Sequence, residues 1–261
     1  MEPEIIHRCA KCGDPDVIRV KLLANWFSTT AMCRCQKEAK AKQEEEAARQ
    51  AFQDELIRNK SVAFTDRAMQ NCTFENDDGT NPGVRRIALG YAQRFEKIRA
   101  SGKGMFLFGA VGNGKTFYAG CIANYLLDGG YKVLLTNIYR LEGHMRHEAD
   151  RDDYIDSLET FDLLIIDDFG TERDTEYMNE IVFQVIDARY RSGLPMIITS
   201  NITAEELEHP ESIKNQRIYS RILDRCVPIE FTGKDRRREN ISEKTRDFIK
   251  WLQGGENEDE N

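Results

Sequence analysis

The sequence predicts a three-layer α/β domain on a five-stranded parallel sheet, preceded by a small cysteine-bearing module and one long helix. Three observations carry this. From Pro82 onward, apolar runs at 104–108, 131–136, 162–167, 195–199 and 227–231 alternate with helical patterns. Residues 36–59 contain neither Gly nor Pro and are rich in Ala, Glu, Lys, Gln and Arg. Four of the seven cysteines fall in the first 35 residues.

In chain order, the first module spans residues 1–36. Cys9-x-x-Cys12 and Cys33-x-Cys35 offer four thiolates as two close pairs, which suits a tetrahedral soft-ligand metal such as zinc. Gly13-Asp14-Pro15 supplies a tight turn after the first pair. The second pair has one intervening residue where zinc ribbons usually have two, so redox-active or free thiols are the alternative. Cys72, Cys121 and Cys226 are scattered and read as small buried residues.

Residues 37–64 follow as a helix. Ala48, Phe52 and Leu56 recur at i, i+4 and i+8, a thin apolar stripe on a charged rod that serves either as a spacer or as a partner-binding face. Phe64 and Phe74 anchor a connector to the domain that occupies 65–240, and residues 76–83 read as a loop. Val84 to Ala100 reads as one helix ended by Ser101-Gly102. After the sheet, residues 241–261 form a helix and an acidic, disordered tail.

The first strand of the sheet runs directly into Gly109-Ala110-Val111-Gly112-Asn113-Gly114-Lys115-Thr116, which fills every slot of G-x-x-x-x-G-K-[ST]. Gly109, Gly112 and Gly114 let the backbone turn its N–H groups toward phosphates, with Asn113 and Phe117 flanking. Lys115 reaches the β and γ oxygens, and the Thr116 hydroxyl is offered to Mg²⁺. A nucleoside triphosphate is therefore the expected ligand, at the carboxyl edge of the strands.

The strand Leu163-Leu164-Ile165-Ile166 ends in Asp167-Asp168, 52 residues after Lys115. Asp167 is the expected magnesium partner and Asp168 the residue that orients attacking water. Asp168 is one methylene shorter than the glutamate common at that place, so slow hydrolysis is expected. Helix 175–191 lines one face with Ile181, Val182, Val185, Ile186 and Tyr190. Asn201, at the end of the next strand, is a candidate γ-phosphate sensor, while Thr203 and Glu206 nearby read as a helix capping box. Arg217, Arg221 and Arg225 share one helix face, either solvated or reaching a neighbouring subunit's phosphate.

With 261 residues, 40% of them apolar, the chain can bury a real core. No apolar run approaches the ~18 residues that span a bilayer, and the acidic start Met1-Glu2-Pro3-Glu4 is unlike a secretory signal. A cytoplasmic protein without membrane contact is expected. Glu256, Glu258, Asp259 and Glu260 supply half of the net charge of −8, so the balance does not exclude nucleic acid. Between the second and third sheet strands, Tyr139, Arg140, His144, Arg146, His147, Arg151 and Tyr154 supply the cations and rings that a nucleic-acid strand binder needs, interrupted by Glu148, Asp150, Asp152 and Asp153; the alternative is a solvated helical excursion.

Taken together, the phosphate loop, Leu164-Ile165-Ile166-Asp167-Asp168-Phe169-Gly170-Thr171-Glu172-Arg173, Thr199-Ser200-Asn201, Arg217-x3-Arg221-Ile222 and Phe231-x-Gly233-x-Asp235-Arg236-Arg237 resemble the DnaC/IstB-type AAA+ ATPases, over residues 65–240. The resemblance implies an AAA+ phosphate-loop fold with a short C-terminal lid. It makes Asn201 sensor 1, Arg221 an arginine finger and Arg237 a sensor 2. It further implies self-association through AAA+ interfaces and an ATP-dependent loader. The loader's N-terminal region would bind a hexameric replicative helicase and deliver it to single-stranded DNA. The alternative within the family is an IstB-like transposition helper acting on duplex DNA with a transposase. Outside it stand a small-molecule phosphotransferase, for which no substrate-pocket motif is found, and a zinc interaction module that holds ATP without hydrolysing it.

Overall fold

The computed structural model describes residues 4–22, 25–64, 66–146, 148–172, 175–209, 213–232, 235 and 241–252. Two compact units divide the chain, Met1–Ile57 and Arg58–Asn261.

In the first unit, strands β1 (Glu4–Arg8), β2 (Pro15–Leu22) and β3 (Asn25–Thr30) form an antiparallel sheet in the order β1-β2-β3, which the cysteine spacing alone did not announce. The turn between β1 and β2 closes as expected, with the Gly13 N–H donating to the Cys9 carbonyl and the Cys9 N–H to the Asp14 carbonyl, both at 2.8 Å. Helix α1 runs Arg34–Ala63, starting three residues before the expected 37–64 span and ending one residue short of it, and the unit boundary falls within it. Its start is fixed by Cys33, whose carbonyl accepts from the Gln36 and Lys37 N–H groups while its own N–H donates to the Gln36 side chain. The stripe residue Phe52 stays exposed.

The second unit holds α2 (Pro82–Gln93), α3 (Phe95–Ser101), β4 (Gly104–Phe108), α4 (Lys115–Asp128), β5 (Val133–Thr136), α5 (Ile138–His144), α6 (Glu148–Leu158), β6 (Leu163–Phe169), α7 (Glu176–Ser192), β7 (Met196–Ser200), α8 (Ala204–Glu208), α9 (Ile213–Arg225), β8 (Cys226–Glu230) and α10 (Ile241–Leu252). The strands pair in parallel in the order β5-β6-β7-β4-β8. Parallel pairing buries both faces of a sheet, and two separate apolar clusters flank this one. The first gathers α2, α4 and the connector residues Phe64 and Phe74. The second gathers α5, α7 and α9. Cys72, Cys121 and Cys226 are buried as expected.

One expected helix is broken. Periodicity continues from Val84 through Phe95, yet Arg94 leaves helical geometry at φ −106 and separates α2 from α3. The break sets Phe95, 1% exposed, edge-on to Tyr131 at 4.9 Å and against Tyr91 at 6.1 Å. Burying that aromatic outweighs the backbone bonds lost.

Arg189 of α7 is 2% exposed, and all five of its N–H donors are satisfied. Nε and Nη2 reach the Pro195 carbonyl, Nη1 those of Leu158 and Phe161, and Nη2 also that of Asp162. One guanidinium thereby fastens the end of α6, the entry to β6 and the entry to β7. Arg189→Leu removes all five of these bonds, and the Leu158 and Pro195 carbonyls keep only the longer bonds from the Phe161 and Leu164 N–H groups, at 3.4 and 3.5 Å. The expected loss is about 3–5 kcal/mol, read as a fall of roughly 6–20 °C in Tm; a change within 2 °C, set as roughly the noise of a surface substitution, would contradict this role.

Candidate functional site

Because every strand of the sheet runs the same way, the ends of β4, β6 and β7 open on one edge. A cleft of about 450 Å³ lies there, lined by Asn76, Asp78, Val111, Gly112, Gly114, Lys115, Thr116, Phe117, Asp168 and Asn201. The phosphate loop, the acidic pair and the sensor candidate thus meet as the sequence implied.

The loop owes its form to close packing. Gly109 and Gly114 sit at φ 126 and φ 93, and a Cβ on Gly109 would overlap the Phe231 carbonyl oxygen. That same oxygen accepts the Asn113 side-chain amide at 2.6 Å, while the Phe231 N–H donates to the Phe108 carbonyl at 2.8 Å. Asn113 is 3% exposed, so its side chain braces the back of the loop and does not line the cleft. The Lys115 ammonium donates to the Gly109 and Ala110 carbonyls at 2.9 and 2.8 Å.

The Thr116 hydroxyl donates to Asp167 Oδ1 at 2.8 Å, so the two groups expected to hold magnesium are in contact. Burial pushes the Asp167 carboxyl above the ordinary carboxylate range, and hydroxyl bonds from Thr199 and Thr116 oppose the shift. A carboxylate in that setting favours a neighbouring cation. A hard divalent ion bound through one carboxylate, one hydroxyl and phosphate oxygens fits this donor set. Asp168 has φ 53, alone among the described non-glycine residues in being left-handed, and it faces the cleft. Glu172, also raised by burial, accepts from the Gly170 N–H at 2.8 Å and is not in the lining.

Thr203 and Glu206 form the capping box that starts α8, just beyond Asn201. Arg221 lies elsewhere on its own chain. Its Nε pairs with Asp187 at 2.8 Å, and its guanidinium stacks on Phe183 at 4.7 Å from the ring centre. Arg237 falls outside the described residues. In the 138–156 segment the Tyr139 hydroxyl donates to the Thr171 carbonyl, Arg146 pairs with Glu142, Arg151 with Glu180, and His144 stacks on Tyr154. His147 is outside the described residues.

Three lining or supporting residues escaped the sequence reading. Asn76 and Asp78 come from a loop with no motif. Thr199 is fully buried and touches both acids; the signal for it was a hydroxyl interrupting the apolar run before Ser200.

In the first unit, the sulfurs of Cys9, Cys12, Cys33 and Cys35 all lie within 4.8 Å of one another. Tetrahedral zinc with bonds of about 2.3 Å needs its sulfurs roughly 3.8 Å apart, so the four thiols can hold such an ion. Cys33 at the start of α1 and Cys35 in its first turn explain how a single intervening residue suffices. Backbone N–H groups of Cys35 and Asp14 lower the Cys12 thiol to about 6, while the Cys33, Cys12 and Cys9 thiols push Cys35 up to about 12. Four thiolates this close repel one another, and a divalent cation removes that conflict.

Similarity to known proteins agrees with this geometry. The replicative helicase loader DnaI of Bacillus subtilis is 29% identical over 190 residues, covering 67% of this chain and 61% of the relative. The replicative helicase loader DnaC of Buchnera aphidicola (subsp. Schizaphis graminum) is 30% identical over 165 residues, 59% of this chain and 63% of the relative. The chain thus spans between 61% and 63% of the length of these two relatives. The crystal structure of DnaI superposes with a TM-score of 0.56 at 27% identity, covering 69% of this chain and 99% of that one. A primosome-component structure from Streptococcus pyogenes, at 22% identity and a TM-score of 0.54, shares the fold. The sheet order and the loop belong to the AAA+ architecture, and no helix among the described residues is long and apolar enough to cross a membrane. The sequence pattern of the IstB-like ATP-binding proteins matches residues 42–242, and the chain belongs to that family.

Proposed function

We propose that this chain is an ATP-dependent loader that holds a hexameric replicative helicase through its N-terminal region and delivers it to single-stranded DNA. The observation that carries the reading is the likeness to DnaI in both sequence and fold, with the phosphate loop and acidic pair in place. Thr116 and Asp167 hold Mg²⁺, which when bound neutralises charge on the phosphate oxygens. Lys115 binds the β and γ phosphates, Asp168 orients water from the cleft wall, and Asn201 senses the γ-phosphate. Arg221 acts in trans as the arginine finger of an adjacent protomer, leaving Asp187 when protomers assemble. Segment 138–156 contacts the DNA strand, and Arg237 serves as sensor 2. A zinc ion on Cys9, Cys12, Cys33 and Cys35 keeps the helicase-binding module folded.

Cys9→Ser tests the division of labour. Loss of a ligand removes the main source of stability of a small zinc domain, so the variant should lose stoichiometric zinc and no longer co-elute with a purified hexameric helicase, while binding ATP as the wild type does. Retained helicase binding by zinc-free protein would reject the module's role. The family's IstB-like description favours a second reading, a transposition helper. That protein would assemble on duplex DNA and ignore the helicase in the same assay.

A further inference from the structure

Thr199 joins β7 to the acidic end of β6 where the strand ladder fails. Between β6 and β7, Ile166 pairs with Ile198 and Phe169 with Ser200, so the register shifts across this interval. Three steps along β6 match two along β7, and Asp167 and Asp168 together oppose Thr199. This is the residue count of a β-bulge. Regular pleating would send adjacent side chains to opposite faces of the sheet. Here Asp167 meets Thr116, while Asp168, in left-handed geometry, lines the cleft.

The Thr199 side chain bonds to both acids. Its hydroxyl donates to Asp167 Oδ1 at 2.6 Å and accepts the Asp168 N–H at 2.9 Å. The residue is wholly buried, so water does not compete for either bond. A left-handed aspartate costs energy and persists only where its surroundings hold it, and at Asp168 the group that takes the backbone N–H is this hydroxyl. We infer that Thr199 is a positioning residue whose hydroxyl holds the β6 bulge and so sets Asp167 toward the metal and Asp168 toward the attacking water. The inference rests on the ATPase reading for its effect on turnover, and on the bulge alone for its effect on the backbone.

The test compares Thr199→Val, of equal shape without the hydroxyl, with Thr199→Ser, which restores it. In nucleotide-free protein, hydrogen exchange at the Asp168 amide should be at least about 10-fold faster in the Val variant and near wild type in the Ser variant. With a non-hydrolysable ATP analogue, Mn²⁺ affinity read by paramagnetic resonance should fall about 10–100-fold in Val, as expected when a group supporting a metal ligand is lost. Metal-free analogue binding should not change, because the phosphate loop is untouched. Turnover at saturating ATP should fall with the metal affinity, and Ser should recover both. An unchanged Asp168 amide, unchanged metal affinity and turnover, or equal damage from Ser and Val would each overturn the inference. Failure of the wild type to bind any nucleotide would reject the ATPase reading instead, and the amide comparison would still decide the bulge.

Discussion

Arg221→Ala is expected to lower ATP hydrolysis by about 10³–10⁵-fold, the range of measured arginine fingers, while leaving ATP affinity within a few-fold of wild type, roughly the level of a distant surface change. In the isolated chain this guanidinium is paired with Asp187, is stacked on Phe183 and has 29% of its side chain exposed. It is not part of its own cleft lining. If it serves a neighbour, wild-type turnover must rise faster than linearly with protein concentration. Mixing separates this from a folding defect. Arg221→Ala protomers keep an intact phosphate loop, and Lys115→Ala protomers keep the arginine. Together they should regain turnover that neither shows alone. A mixture as inactive as its parts, at concentrations where the wild type assembles, would reduce Arg221 to a packing residue between α7 and α9. Arg221→Gln, which preserves most of the stacking surface, provides the stability control.

Lys115→Ala should weaken ATP binding by about 10²–10⁴-fold, from the loss of two charge-assisted contacts worth about 1.5–3 kcal/mol each. Lys115 is 5% exposed and its ammonium is already held by two loop carbonyls, so little ordering remains to be done when phosphate arrives. Titration with a fluorescent ATP analogue gives the affinity directly. Equal affinities for wild type and variant would place the nucleotide somewhere other than this loop. Thermal unfolding without ligand should shift little in comparison, whereas the stabilisation that ATP gives the wild type should vanish.

How much of this was legible beforehand follows from how local each feature is. The phosphate loop and Asp167-Asp168 are contiguous motifs after apolar runs, and all five strands appear within a few residues of where the runs lie. The four cysteines are spaced in sequence as they cluster in space, although the sheet that carries them went unread. Arg94 could not be seen as a break, because the helical pattern continues through it and only packing on Tyr131 interrupts it. The bulge was invisible for a deeper reason. It is a mismatch in count between β6 and β7, and neither strand contains it alone. Thr199 looked like one hydroxyl among three polar residues at a strand end, and its importance appears only once the acids of another strand lie opposite. Arg217, Arg221 and Arg225 were correctly placed on one helix, but their spacing could not foretell that Asp187 and Phe183 would occupy Arg221.

The brace between Asn113 and Phe231 joins residues 118 positions apart. It has a consequence during synthesis. The loop emerges from the ribosome early, but the carbonyl that packs against Gly109 and accepts from Asn113 is made only after β8, the strand that covers the open side of β4. At about 5–20 residues per second, translation leaves the loop unbraced for roughly 6–24 s. A nascent chain therefore carries the full phosphate-loop sequence long before the bond that braces it can form. If the loop needs that brace to hold phosphate, chains that stall or are cut before Phe231 should bind ATP more weakly than finished molecules.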